Sequence, residues 1–191
     1  MKHFTKILIA VALITLCSQS AGAQGWPENY GGVMLQGFYW DSFSQSKWTK
    51  LESQADDLAA TFSLIWIPQS GKCLESNKVM GYTPYYYFNQ NSSFGTEQEL
   101  RSMIQTFKAK GLGTVADVVI NHHNTMGWWT FPAEEYKGVT YQFQTTDIVN
   151  NDDYDPSTNR YLTREQAQKD GVTLSSNIDE GEDFGGFRDL D

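Results

Sequence analysis

Cysteine is scarce in this chain: Cys17 and Cys73 are the only two in 191 residues. Cys17 falls in an N-terminal segment that reads as an export signal, so the processed chain keeps Cys73 alone. An internal disulfide is thereby excluded even in an oxidising compartment, and the fold must rest on its core. Long hydrophobic runs are also missing. The apolar stretch at residues 7–16 is well short of the roughly 20 residues that a membrane span requires. Its basic start (Lys2, His3, Lys6) and the Ala21-Gly22-Ala23 that follows mark residues 1–23 as a signal peptide cleaved after Ala23. The expected destination is the periplasm or the medium, as a soluble protein with no transmembrane segment. Basic charge is the third shortage, with 14 Lys and Arg against 23 Asp and Glu for a net charge of −9. The excess lies wholly after His123, where 14 of the acids face 5 of the bases. Such a surface argues against nucleic acid, whose phosphates need a basic partner. It suits solubility, calcium or both. No internal repeat and no low-complexity linker divides the chain.

What remains is about 168 residues, enough for one ordinary domain. Residues 32–40, GVMLQGFYW, form an apolar and aromatic run bounded by glycines and Asp41-Ser42, which reads as a buried strand. Leu51, Ala55, Leu58, Ala59 and Phe62 then recur at helical spacing opposite Lys50, Glu52, Asp56 and Asp57. A second apolar run at residues 63–68 is stopped by Pro68, which has no amide to continue a ladder. Thr96 and Glu99 make a capping box ahead of a stripe of Leu100, Met103, Ile104 and Phe107, and Gly111 stands as the helix stop. Residues 114–120, TVADVVI, supply a third strand-like run. Strand, helix, strand, helix, strand, with apolar strands and one-sided helices, implies an α/β fold with a parallel sheet and right-handed crossovers. Periodicity alone leaves an open doubly wound sheet and a closed (β/α)8 barrel as alternatives. Three strands could supply only part of a barrel, which takes about 250 residues. From Asn124 the pattern gives way to an irregular excursion rich in Asp and Gly, on the face where α/β folds gather their ligand loops.

Three groups of residues could carry chemistry. Asn121, His122, His123 and Asn124 end the third run. Neighbouring residues on a strand point to opposite faces, so a shared zinc between the two histidines is a poor fit. The plainer account is a set of polar residues that bond to nearby backbone. Residues 177–191, NIDEGEDFGGFRDLD, crowd Asp179, Glu180, Glu182, Asp183, Asp189 and Asp191 onto a flexible backbone. Hard oxygen ligands in irregular geometry are what Ca²⁺ takes, although the spacing is not that of the helix-loop-helix calcium loop and a solvated acidic loop would look alike. The aromatic group is residues 80–88, MGYTPYYYF, with Tyr39, Trp40 and Trp66 nearby. Rings at a strand mouth suit the apolar faces of sugars, with hydroxyls and amides to read their edges.

Taken together, these residues resemble the α-amylase family of retaining glycoside hydrolases, and its calcium-dependent α-amylases in particular. GVMLQGFYWD looks like the family's first barrel strand. LIWIPQSGK followed by MGYTPYYYF resembles its second strand and loop, DVVINHH its Asp-x-x-x-Asn-His motif, and DFGGFRDLD the later motif of its protruding domain B. The resemblance implies that residues 24–123 form the first three β/α units of a (β/α)8 TIM barrel, and that residues 124–191 form a truncated, calcium-binding domain B. It implies that Tyr82 stacks on the sugar at the cleaved bond and that His122 hydrogen-bonds to that sugar, while Asp117 braces the strand end. Asn121, Asp189, Asp179 and Asp183 would be calcium ligands. Asn89 is a departure, standing where many relatives have an aspartate.

Retaining glycosidases need two carboxyl groups roughly 5 Å apart, and the family takes both from later strands than these. No catalytic residue is therefore expected in this chain. The implied parent is an exported, monomeric enzyme that hydrolyses internal α-1,4-glucosidic bonds of starch and related glucans, of which this chain is an N-terminal fragment, inactive alone. Another glucan hydrolase or transglycosylase of the family would share these motifs. A non-catalytic glucan- or calcium-binding protein is the rival from a different class, at the cost of an exposed sheet edge.

Overall fold

The computed structural model describes residues 30–73, 79–181 and 185–191. The expected signal peptide lies outside them, as does Asp183. Strands β1 (Met34–Gln36), β2 (Leu64–Ile67) and β3 (Gly113–Ala116) form one parallel sheet in the order β1-β2-β3. Its consecutive order is the one a barrel uses, but the described residues hold an open three-stranded sheet and no closed barrel. Along β2 the side chains alternate, with Ile65 and Ile67 buried and Leu64 and Trp66 only partly so. That two-residue period drives the isoleucines into the core beside Trp48, Leu51, Met103 and Phe107. The strand ends at Pro68, as expected.

All three apolar runs are longer than the strands they form, the first and third most of all. The first was expected to be a buried strand over residues 32–40, yet only three residues join the ladder, and Val33 and Met34 are 57% and 43% exposed. The third stops pairing at Ala116, leaving Val118 and Ile120 66% and 72% exposed. The reason is positional. β1 and β3 are the edges of the sheet, and past the paired residues the ladder runs on by only a few bonds, from Ser63 N–H to Val33 O, Gly37 N–H to Trp66 O and Asp117 N–H to Ile67 O.

The first helical stretch is also divided, into α1 (Trp48–Ser53) and α2 (Ala55–Thr61), where a tight Gln54 N–H bond to Leu51 O at 3.1 Å interrupts the longer-range pattern. Helix α3 (Glu97–Ala109) matches its sequence signals. Both halves of the Thr96/Glu99 capping box are made, and Leu100, Met103 and Phe107 face the core. Gly111 closes the helix at φ +77°, a left-handed conformation that glycine adopts without a Cβ penalty.

The acidic excursion holds small antiparallel pairs. β4 (His122–His123) pairs with β9 (Arg188–Asp189), β5 (Glu134–Tyr136) with β6 (Val139–Tyr141), and β7 (Tyr154–Asp155) with β8 (Arg160–Tyr161). Helix α4 (Leu162–Asp170) follows β8 and ends on Gly171 at φ +67°. The β4–β9 pair closes the excursion, because it returns the chain to the residues from which it departed.

Candidate functional site

The ends of β1, β2 and β3 converge on one surface, each delivering a side chain or loop. The loop after β2 carries Tyr82, whose hydroxyl donates to Asp117 Oδ2, just past β3, at 3.2 Å. Burial first, then the charge and hydrogen bond of Asp117, push the Tyr82 hydroxyl up to about 12, so it stays protonated and a donor. Trp40, just past β1, lies parallel to the Tyr82 ring, with 4° between planes and 6.0 Å between centroids. Trp40 is 72% exposed, so a flat aromatic surface is presented at this end of the sheet.

His122 reaches the same loop. Its Nε2 faces the carbonyl oxygen of Tyr82 at 2.9 Å, so that nitrogen carries the hydrogen, and its own carbonyl accepts from the Tyr87 hydroxyl at 3.4 Å. The ring is buried against Phe187. His123 turns to the other side, among Tyr87, Phe131 and Phe143. Burial pushes its imidazole below the ordinary value, and its Nδ1 donates to Asn124 O at 2.6 Å. The two histidines thus have separate environments, as alternation along a strand dictates.

Of the four expected calcium ligands, two meet. Asn121 Nδ2 lies 3.1 Å from Asp189 Oδ1, and Leu190 N–H donates to Asn121 O at 2.8 Å. The contact is the Asn121 NH2 donating to the carboxylate; the Asn121 amide oxygen and the Asp189 carboxylate are hard oxygen donors of the kind Ca²⁺ takes, though two are a fraction of the six to eight it needs. Asp179 lies in its own turn, with Oδ1 accepting from Gly181 N–H at 2.7 Å and its backbone bonded both ways to Asn151. Among the described residues no three His, Cys, Asp or Glu side chains converge as a metal site.

Sequence reasoning missed two carboxylates. Asp152 is 1% exposed and lies beneath Asp189. It accepts from Asp189 N–H at 3.0 Å, from Thr163 Oγ1 at 2.6 Å and from the Arg188 guanidinium. Burial pushes its carboxyl up, while Arg188 pulls it back. Arg188 is itself buried and lies over the Trp128 ring at 4.9 Å. Glu134, on β5, accepts from three successive amides of the tyrosine loop: Tyr87 and Phe88 at 2.9 Å and Asn89 at 2.7 Å. Asn89 turns its side-chain oxygen to Asn91. Neither acid has a sequence signature, because an acid beside other acids in a polar segment looks solvated until its partners are known.

No protein-family model matches the chain. Several curated proteins do. The chloroplastic α-amylase 3 of Arabidopsis thaliana is 34% identical over 104 residues, covering 51% of this chain and 11% of that protein. The glucan 1,4-alpha-maltotetraohydrolase of Stutzerimonas stutzeri is 29% identical over 140 residues, covering 65% and 26%. This chain thus spans about a quarter or less of these curated relatives. Among solved structures, a maltohexaose complex of a mutant α-amylase I from Eisenia fetida shares the fold with a TM-score of 0.51 at 20% identity, over 84% of this chain and 32% of that one. The resemblance carried by the motifs is therefore matched by relatives: the chain is related to the α-amylases.

Proposed function

From that kinship we propose that the chain is the N-terminal part of an exported α-amylase, contributing the first three β/α units of a TIM barrel and a domain B that binds calcium. The parent enzyme hydrolyses internal α-1,4-glucosidic bonds of starch and related glucans through a covalent glycosyl-enzyme intermediate, with both catalytic carboxylates supplied by later strands. The observation that carries this reading is the meeting of Trp40, Tyr82 and Asp117 at three successive strand ends, with His122 bonded to the same loop. Ring surface for a sugar face and polar atoms for its hydroxyls stand together there. The bare Val33, Val118 and Ile120 support the barrel part, since they line the two edges that further strands would cover.

Asp117 fixes the Tyr82 hydroxyl, which sets the plane of the ring for stacking. Asn121 and Asp189 would hold the calcium, with Asp179 and Asp183 as further ligands. Calcium would supply a tie between the end of the third strand and the close of the excursion, without chemistry of its own on the sugar.

The test is hydrolysis. The product of the whole reading frame that contains this chain should release malto-oligosaccharides from soluble starch. Tyr82→Ala should lower kcat/KM about 10-fold through lost stacking. Unchanged kinetics would remove Tyr82 from the sugar site. Starch binding without hydrolysis would favour a non-catalytic glucan-binding protein instead.

A further inference from the structure

The Glu134 carboxylate lies far from any barrel strand in sequence, yet it engages the loop that carries Tyr82. Its Oε2 takes the N–H groups of Tyr87 and Phe88, and its Oε1 takes that of Asn89. Three consecutive amides aimed at one carboxylate form an anion-binding concavity filled by a side chain of the protein itself. Charge-assisted bonds of this kind are about twice as strong as neutral ones. The same hairpin adds a second hold: the Phe88 ring stacks on Tyr136 of β5 at 4.4 Å with 9° between planes, and meets Tyr141 of β6 at 5.1 Å.

The other end of the loop is tied to the histidine segment. Asn124 N–H donates to Pro84 O at 2.8 Å, the Tyr85 hydroxyl to Thr125 O at 3.2 Å, and the Tyr87 hydroxyl to His122 O at 3.4 Å. The loop is therefore gripped on two sides, by the hairpin at residues 87–89 and by residues 122–125 at residues 84–87. Tyr82 hangs from its near end, with its carbonyl on His122.

We propose that Glu134 is a positioning residue for glucan binding: by clamping the amides of residues 87–89 it fixes the loop that sets Tyr82 and His122 at their mutual distance. The inference rests on the sugar-binding role proposed above for those two residues. It assigns the β5–β6 hairpin of the excursion a part in substrate affinity, which neither its exposed sequence nor its distance from the strand ends suggests. A loop released from the clamp keeps its ring but loses its placement, and binding that depends on ring placement weakens with it.

The experiment compares the full protein with its Glu134→Ala and Glu134→Gln variants, at a temperature well below each Tm. KM and kcat on soluble starch and the Kd for maltohexaose are measured. Removal of the carboxylate should raise KM and Kd about 5-fold with kcat within about 2-fold, the mark of lost uniform binding. Glutamine can keep its oxygen on Tyr87 and Phe88 but turns its NH2 toward the Asn89 amide, so an intermediate Kd is expected. Unchanged KM and Kd in both folded variants, whatever their Tm, would overturn the proposal and leave Glu134 a purely structural clamp. If Glu134→Ala does not fold, the glutamine variant decides by the same criterion. Failure of the unsubstituted protein to bind starch would overturn the sugar-site reading itself, and is distinguished by needing no variant at all.

Discussion

Asp152→Ala should cost about 3–5 kcal/mol of folding stability, because it leaves the Arg188 guanidinium buried without its carboxylate. Arg188 is 5% and Asp152 1% exposed, so water cannot readily take the place of the lost partner. Thr163 Oγ1 and the Asp189 amide lose an acceptor in the same step. Domains are stable by roughly 5–15 kcal/mol, so a loss of this size threatens the fold of the whole excursion. Urea titration of the variant beside the unsubstituted protein measures it. A second variant gives the control: Asp152→Leu combined with Arg188→Met removes both charges at once, and should recover much of the loss because an apolar pair needs no desolvation. A single-variant cost under about 1 kcal/mol would mean that Asp152 is not the counter-ion the geometry makes it.

Asn121→Ala should have the next largest effect, and only when calcium is present. A site saturated at about 100 times its Kd adds roughly 2.7 kcal/mol to the folded state, and a variant unable to bind forfeits that stabilisation. In a chelator the linkage is already absent, so the remaining cost is the side chain's bond to Asp189, of order 1 kcal/mol for an exposed amide. Thermal unfolding with calcium and with chelator therefore separates the two roles. Equal losses in both conditions would remove Asn121 from the metal site. The two experiments probe one junction from opposite sides, since Asp189 bonds to Asn121 through its side chain and to Asp152 through its backbone.

Solvation also bears on Tyr82. Its hydroxyl, raised to about 12, is protonated throughout the range in which proteins are usually assayed, so the Tyr82 hydroxyl remains a donor there. A pH dependence of glucan binding near neutrality would have to come from another group.

Local signals in the chain were enough for much of this. The Thr96–Glu99 box, the stripe of Leu100, Met103 and Phe107, and the stops at Pro68 and Gly111 each act within a turn or two of the backbone, and the helix and strands they predict are present. The Asn121-His122 pair likewise follows directly on an apolar run, which marks it as a strand-end group. The same runs overstate strand length: residues 32–40 and 114–120 are mostly apolar, but a ladder extends only as far as a partner strand does.

What the sequence by itself determined, then, is the succession of strands and helices as far as β3, the caps and stops of α3, and the kinship with α-amylases. These rest on interactions between residues a few positions apart, or on short motifs in a fixed order. The small strand pairs and helix α4 of the excursion were not among its expectations. The meeting of Asn121 with Asp189 across 68 positions was implied by the motif resemblance, but tertiary structure alone decided that Glu134 clamps the Tyr87 amide across 47 and that Arg188 is buried on Asp152 across 36. A charged side chain gives no hint of such a partner along the chain. Its choice between water and a buried counter-charge is made only when folding brings the distant segment in and removes the solvent.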